Sequence, residues 1–216
     1  MEFIEDDRGY LSIWEMPAVG EQYVIGADPS EGVGKDRSAA YVKRRSTGEY
    51  VARIWGQLYP EEFAEALDLL GRFYNRAYIC FEINNHGHVV KDRLVNIKQY
   101  TNLYHRRETE EITGDWKSEI GFRTTRAEKD RIAHNFVARL REGKLRPMDD
   151  DLITELTTFQ RDENQRLGAV EGCHDDLAMA ALFTEEMDVA LGPLELQAPE
   201  EDEKCRIDEI TGYPIY

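Results

Sequence analysis

Cysteine is scarce in this sequence, and the cysteines present are scattered. The 216 residues include only Cys80, Cys173 and Cys205, and no CxxC or Cys/His zinc spacing occurs. An odd number of isolated cysteines predicts neither a disulfide framework nor a structural zinc centre. We therefore expect reduced thiols in a reducing compartment.

A long apolar run is also missing. No stretch approaches the roughly 18 residues that a membrane-spanning helix needs, and the acidic start MEFIEDD is not typical of a signal peptide. We expect no membrane partner. The composition, 41% hydrophobic and 32% charged, is typical of a globular α/β domain with short appendages.

The glycine-rich stretch GADPSEGVGKD lacks the signature of a nucleotide-binding P-loop. The glycine required five positions before Gly34 is Pro29, and Lys35 is followed by Asp36 instead of Ser or Thr. These departures exclude a P-loop here. The glycines are better explained by a close approach of backbone or substrate to a neighbouring site.

Positive charge is in deficit overall but not everywhere. The net charge is -16, which argues against a nucleic-acid partner, yet residues 91–146 hold 14 Lys and Arg against 9 Asp and Glu. A basic middle third on an acidic chain can present a basic face to phosphates. A solvated helix surface explains the same charges equally well.

Hydrophobic patterning predicts a mixed β-sheet. The apolar runs Tyr23–Asp28 and Ala77–Glu82 are typical of buried strands, and we expect them to be the most central. Between them, 39–45 and 50–57 flank a turn and predict a hairpin. The predicted fold class is α/β, with three antiparallel strands followed by strands alternating with helices, and with helices on both faces of the sheet.

The remaining elements follow from local signals. We predict a helix that opens at Pro60, a helix capped by Thr125, and a helix that ends near Ala190. Further predictions are a short helix over 86–96, a strand over 100–105, a polar irregular stretch over 106–117, a helix over 152–159 and a polar hairpin over 161–171. We divide the chain into a linker remnant (1–20), a main domain (21–190) and a flexible acidic tail (191–216).

Acidic residues stand where a sheet of this kind would carry a site. Asp28 and Glu82 end the two apolar strands, and Asp175 and Asp176 open the segment Leu177–Phe183, which contains no charged residue. The carboxyl ends of central strands form the usual site-bearing edge of an α/β sheet. If the acids converge there, their repulsion requires a cation, and oxygen ligands favour Mg²⁺ or Mn²⁺. Two such ions, roughly 3.5–4 Å apart, would suit phosphodiester hydrolysis.

Each acid also has a structural explanation. Asp28 precedes Pro29 and could serve a turn, and Glu82 could lie at the surface. Asp175 or Asp176 could cap the helix that follows. The alternatives stay open residue by residue, although the joint pattern favours a metal site.

Four stretches carry a family resemblance: YVIGADPSEGVGKDRSAA, FEINNHGHVVKDRL, IGFRTTRAEKDRIAHNF and GCHDDLAMAALF. In this order and spacing, over about residues 9–190, the chain resembles the C-terminal nuclease domain of the large terminase subunit of tailed bacteriophages. The resemblance implies an RNase H-like fold and metal-dependent cleavage of concatemeric double-stranded DNA with little sequence specificity. Two divalent cations, Mg²⁺ or Mn²⁺, would act there.

The family's three acidic motifs fall on Asp28, Glu82 and the pair Asp175 and Asp176, with Asp176 favoured as the stronger ligand. The resemblance also implies an ATPase domain upstream, which this chain does not contain, and possible contacts with the portal protein and the small terminase subunit. The expected location is the host cytoplasm during viral assembly.

Further residues are weaker candidates. Asp36, Asn84 and His174 could support the acids from nearby. Basic side chains in the middle third are the candidate DNA phosphate contacts: Lys117, Arg123, Arg126, Lys129 and Arg131.

Two other functions remain open at this point. A RuvC-like Holliday junction resolvase would use the same strand-end acids. A docking module for portal or motor partners would instead rely on the acidic tail. Preference for four-way junctions would favour the first alternative, and loss of partner binding on removal of 192–216 would favour the second.

Overall fold

The computed structural model describes residues 6, 9–34, 36–109, 116–147, 149–194, 206–207 and 214–215. It contains a five-stranded sheet made of β1 (Leu11–Ile13), β2 (Tyr23–Asp28), β3 (Ser38–Arg44), β4 (Tyr50–Gly56) and β5 (Tyr78–Phe81). The strand order is β1-β4-β3-β2-β5. Only the β2–β5 pair is parallel, so the predicted mixed sheet is confirmed.

Five helices and three small strand pairs complete the described chain. The helices are α1 (Pro60–Phe73), α2 (Gly87–Asp92), α3 (Arg126–Arg141), α4 (Asp150–Thr158) and α5 (Asp176–Leu191), and a π-helical turn over Arg93–Ile97 continues α2. The strand pairs are β6 (His105–Thr109) with β7 (Trp116–Ile120), β8 (Phe159–Arg161) with β9 (Leu167–Ala169), and β10 (Arg206–Ile207) with β11 (Pro214–Ile215). None of the helices described is long and apolar enough to cross a membrane.

Both faces of the sheet are covered, as the patterning predicted. One core joins the sheet to α1 through residues such as Phe63 and Leu67. The other joins it to α3, α4 and α5 through residues such as Phe136, Leu152 and Phe183. The long apolar run of α5 is explained by this position, because the helix is buried along nearly its whole length.

Helix α5 packs on β2 through their backbones. A Cβ atom on Gly26 would lie 2.0 Å from the Thr184 nitrogen and 2.4 Å from the Ala180 carbonyl oxygen. No larger residue fits at this position without separating the two elements. Gly26 therefore fixes how closely the helix approaches the strand.

A buried ionic network clamps the other half of α5 to the sheet. The Lys43 ammonium on β3 donates to Glu185 at 2.7 Å and to Asp188 at 3.0 Å, and both Lys43 and Glu185 are fully buried. Arg45 and Arg139 also contact Asp188. Burial raises the pKa of Asp188, but the contacts with Lys43 and Arg45 lower it by more. The net shift of this pKa is therefore downward.

The helix starts follow local chemistry. Pro60 occupies the first position of α1, and Glu62 accepts a hydrogen bond from the Tyr59 nitrogen at 3.1 Å. The Thr125 hydroxyl accepts from the Glu128 nitrogen at 3.2 Å, which confirms the predicted cap of α3. The Glu128 carboxylate binds Arg131 instead of reaching back to the cap.

Two sequence predictions between residues 100 and 117 were wrong. The predicted strand over 100–105 is reduced to a single bridge between Leu103 and Ile79, followed by the start of β6. The stretch predicted as irregular pairs as β6 and β7, while 110–115 lie outside the described residues. A pair of strands that contributes little to either core does not need alternating apolar residues. The register of β6 and β7 instead places Arg106 opposite Glu119.

The position of β5 also differs from the prediction. It is the last strand of the five-stranded sheet, not a central one, and single parallel bridges Ile79↔Leu103 and Glu82↔Phe122 cover its outer side. These bridges explain why such an apolar strand can lie at a sheet edge.

The two flanking segments are described only in part. Within 1–20, β1 pairs with β4 and adds an edge strand to the sheet. Most of 191–216 lies outside the described residues, and the flexible tail stays a prediction.

Candidate metal centre

Asp28 and Glu82 are neighbours because β2 and β5 run parallel. Ala27 is paired with Phe81, so the next residue on each strand carries an acid at the same edge. The Glu82 nitrogen donates to the Ala27 oxygen at 3.1 Å, which continues the pairing up to the site. Strand register therefore places the two carboxyl groups together.

Asp175 and Asp176 reach the same edge from the start of α5. Asp175 occupies the cap position, and its carbonyl accepts the Met179 nitrogen at 2.8 Å. The Oδ2 atom of Asp176 is buried and has no hydrogen-bond partner among the described residues. A buried carboxylate oxygen without a partner is costly, and a cation would satisfy it.

The pKa shifts show that these acids share one environment. Burial raises the pKa of Asp28 well above its ordinary value, and the charges of Glu82, Asp176 and Asp175 raise it further. Burial also raises the pKa of Asp176 to about 6, while His174 lowers it. A group of carboxylates that repel one another in a buried site favours a bound cation.

Glu82 is held in place by its neighbours. Burial raises the pKa of Glu82, and hydrogen bonds and the charge of Lys129 partly oppose the shift. The amide of Asn84 donates to the Glu82 carboxylate at 3.1 Å and to the Thr124 carbonyl at 2.9 Å. Asn84 therefore orients Glu82, and its supporting role in a functional site stays a prediction.

Asp36 and His174 lie on the Asp176 side. His174 Nδ1 is 4.0 Å from Asp176 Oδ2, and the charge of Asp36 raises the pKa of Asp176. Arg37, which the sequence reasoning did not single out, lowers it and stacks over Trp55 at 4.3 Å.

The donor set fits a hard divalent cation. The four acids offer only carboxylate oxygens, and one of these oxygens is buried without a partner. Within the described ranges, no three Asp, Glu, His or Cys side chains already stand as a finished ligand set. Cation binding here would require these carboxylates to turn toward the ion, and carboxylate oxygens are ligands that suit Mg²⁺ or Mn²⁺.

Lys129, predicted as a phosphate contact, lies beside the acids. Its ammonium is 3.1 Å from Asp175 Oδ2, and the side chain is 20% exposed. Its charge lowers the pKa of both Asp28 and Glu82. Lys129 therefore acts as a counter-ion for the carboxylates.

The other predicted DNA contacts are dispersed. Arg123 is exposed and lies 3.3 Å from Glu119, and Arg126 donates to the Gln165 carbonyl at 3.1 Å. Arg131 forms a two-point ion pair with Glu186 on α5. The backbone of Lys117 belongs to β7, but its side chain lies outside the described residues.

Sequence reasoning missed Glu155, a buried acid on α4. Its Oε2 atom accepts the Ala178 nitrogen at 3.0 Å, so a different helix caps the start of α5. In the described structure its Oε1 atom is buried without a partner. Burial raises the pKa of Glu155 to about 7, although the Ala178 and Leu177 amides lower it. Nothing in the spacing around Glu155 distinguishes it from a surface glutamate.

Replacing Glu155 by Gln should change the pH dependence of stability. The folded-state pKa of about 7 exceeds the ordinary value of 4.5, so the stability linked to this group is full below 4.5 and is lost as pH rises through 7. As pH rises between these two values, the wild type should lose about 1–3 kcal/mol of unfolding free energy relative to Glu155→Gln. Urea titrations of both proteins measure the difference.

The exposed Glu61 on α1 provides the matched control. Glu61→Gln should show no such trend relative to the wild type. Parallel stability profiles for Glu155→Gln and the wild type would show that Glu155 does not titrate in this range.

No protein-family model and no curated protein matches the sequence. Solved structures do match. The large terminase nuclease of thermophilic phage G20c with bound magnesium is 18% identical, with a TM-score of 0.65 over 84% of this chain and 89% of that one. The same nuclease with bound cobalt is equally similar, with 18% identity and a TM-score of 0.65.

The large terminase nuclease domain of Thermus phage P74-26 gives 19% identity and a TM-score of 0.61 over 83% of this chain and 86% of that one. The agreement extends over most of each chain. It confirms the fold that the four sequence stretches predicted. This chain therefore has the RNase H-like fold of the nuclease domain of phage large terminase subunits.

Proposed function

We propose that the chain is a metal-dependent DNA endonuclease, the nuclease domain of a viral DNA-packaging terminase. The observation that carries the proposal is the meeting of Asp28, Glu82 and Asp176, from two strand ends and a helix start, in a partly buried site. The similarity to terminase nucleases, one of them with bound magnesium, supports the same activity.

The substrate of this activity would be concatemeric double-stranded DNA, cut with little sequence specificity by hydrolysis with two divalent ions. When bound, the ions would supply Lewis acids that generate the nucleophile from water and stabilise the charge of the leaving oxygen. Asp28, Glu82, Asp175 and Asp176 would hold them. The chain's own contribution is a cluster of partly buried carboxylates and the orientation of Glu82 by Asn84.

The wider setting follows from the same proposal. The domain would act in the host cytoplasm during viral assembly, joined to an upstream ATPase domain of the same polypeptide. The portal protein and the small terminase subunit would be its partners in packaging. The exposed basic side chains of Arg123, just before α3, and of Arg126, its first residue, would contact the DNA backbone.

The test is cleavage of supercoiled plasmid by the purified chain. With Mg²⁺ or Mn²⁺ the plasmid should become nicked and linear, and EDTA should abolish the reaction. Glu82→Gln should lower the rate by at least about 100-fold, because loss of a ligand should exceed the 10–100-fold effect of losing a ligand's supporting contact. Glu61→Gln again serves as the exposed control.

Comparison of substrates separates the proposal from junction resolution. A terminase-type nuclease should cut linear duplex and four-way junctions at similar rates. Strong preference for the junction would favour a RuvC-like resolvase. Undiminished cleavage by Glu82→Gln would show that the acids do not form the active site.

A further inference from the structure

The ion pair between Lys129 and Asp175 is partly enclosed. Besides the 3.1 Å contact with Asp175, the Lys129 ammonium lies 5.2 Å from the centre of the Phe159 ring. Above the pair lies β9: a Cβ atom on Gly168 would be 3.6 Å from Asp175 Oδ2 and 3.8 Å from the Lys129 nitrogen. The pair is therefore only partly open to water, with the Lys129 side chain 20% and the Asp175 side chain 30% exposed.

Lys129 also lines a second feature, a cleft of about 220 Å³ at the start of α3. Its walls carry the basic side chains of Arg126, Lys129 and Arg166 against one acid, Asp130. Asp130 is itself bound to Arg161 at 2.9 Å. The cleft therefore has an excess of positive charge, in contrast to the adjoining carboxylate site.

The cleft has the chemistry of a phosphate site. The first turn of the 16-residue helix α3 opens at Thr125, which also lines the cleft, and a helix start favours anions. The hydroxyl of the neighbouring Thr124 lies close to Glu82, whose pKa it lowers, so the cleft adjoins the carboxylate site directly. Three cationic side chains and a helix start together fit a phosphodiester group.

We propose that Lys129 exchanges between two partners: Asp175 in the metal-free protein and a DNA backbone phosphate in the cleft. While Lys129 holds Asp175 Oδ2, that oxygen is not available to a cation. When a phosphate takes the ammonium, Asp175 is released as a ligand. The inference rests on the proposed nuclease function, and it makes Lys129 a positioning residue that couples DNA binding to cation binding.

The electrostatics give the direction of this coupling. With Lys129 in place, a divalent ion that approaches Asp175 is repelled by the ammonium next to it. If a phosphate draws the ammonium away, the repulsion falls and Asp175 gains an open position. By thermodynamic linkage, DNA must strengthen cation binding by the same factor by which the cation strengthens DNA binding.

The first experiment measures Mn²⁺ binding to the full chain without DNA, by calorimetry at about pH 8. Lys129→Met removes the competing ammonium, so the weaker of the bound Mn²⁺ ions should bind about tenfold more tightly than in the wild type. Lys129→Arg keeps a cation and should resemble the wild type. Arg126→Met removes a charge from the same helix but not from the carboxylates, so its isotherm should also resemble the wild type.

The second experiment measures coupling directly, by anisotropy of a labelled short duplex with and without Ca²⁺. The wild type should bind the duplex about tenfold more tightly with Ca²⁺ present, and this gain should largely disappear in Lys129→Met. Arg126→Met should weaken DNA binding and keep the gain. If Lys129→Met does not fold by circular dichroism, Lys129→Gln replaces it in both experiments.

The outcomes separate this inference from the proposed function. If the wild type and Lys129→Met bind Mn²⁺ with superimposable isotherms, the exchange of Lys129 is refuted but the metal site stands. If Arg126→Met tightens Mn²⁺ binding as much as Lys129→Met, the effect is one of general charge and the exchange is again refuted. If neither the wild type nor any variant binds Mn²⁺, the metal site of the proposed function is refuted as well.

Discussion

Asp28→Asn should lower the rate of DNA cleavage about 10³-fold and at the same time stabilise the protein in the absence of metal. Burial and the charges of Glu82, Asp176 and Asp175 all disfavour the ionised form of Asp28, whose pKa is raised well above its ordinary value. Asparagine keeps the shape and removes the charge. The unfolding free energy in EDTA should therefore rise by about 1–3 kcal/mol, as expected when an uncompensated buried charge is removed.

The rate of DNA cleavage by Asp28→Asn should fall, although its unfolding free energy rises. A cation held by this carboxylate would supply several kcal/mol of charge stabilisation in the transition state, so its loss would lower the rate about 10³-fold. Single-turnover cleavage of plasmid with Mg²⁺ measures the loss, and urea unfolding in EDTA measures the gain in stability. The addition of Mg²⁺ should raise the midpoint of the wild type more than that of Asp28→Asn.

The exposed Asp92 on α2 is the matched control. Asp92→Asn should leave both cleavage and stability near the wild-type values. A loss of stability in Asp28→Asn would show that Asp28 has a structural role at the end of β2. Cleavage of DNA at the wild-type rate would show that Asp28 has no role in cation binding.

Lys43→Met should be among the most destabilising single substitutions in the chain. It leaves Glu185 fully buried on α5 with one cationic partner fewer, and Asp188 beside it loses a contact as well. Breaking a buried ionic network by removing one partner is expected to lower the unfolding free energy by about 3–5 kcal/mol. Urea titration with a circular dichroism readout measures this loss.

A double variant tests whether the unpaired Glu185 carboxylate causes the loss of stability in Lys43→Met. Lys43→Met combined with Glu185→Leu should recover much of the lost stability, because no buried carboxylate then lacks its partner. Lys144→Met, which breaks an exposed pair with Glu142, should leave the midpoint unchanged. If Lys43→Met alone were as stable as the wild type, Arg139 would be sufficient to neutralise Glu185.

Much of the fold could be predicted because burial leaves a pattern in the sequence. The runs Tyr23–Asp28 and Leu177–Phe183 are apolar because they lie against the core, and their ends are marked by acids. The same logic predicts that Asp28 and Glu82, at the ends of two strands, lie at one edge of the sheet. Strand register then explains the juxtaposition in physical terms.

Other features leave no such pattern. Glu155 reaches the start of α5 from a separate helix, and Arg131 turns toward Glu186 instead of toward solvent. Both depend on how helices pack side by side, which neighbours in sequence do not reveal. The strand pair β6–β7 escaped prediction because a strand pair outside the main cores needs no apolar face.

The backbone contact at Gly26 has a consequence for how this domain tolerates change. Asp28 lies two residues beyond Gly26 on β2, and Asp176 lies about one helical turn before Ala180, the residue against Gly26. The spacing of the two acids is thus set by main-chain atoms and not by the size of core side chains. Core residues can be exchanged for others of similar volume without moving the acids apart, so sequences as divergent as 18% identity can keep the same arrangement of strand and helix.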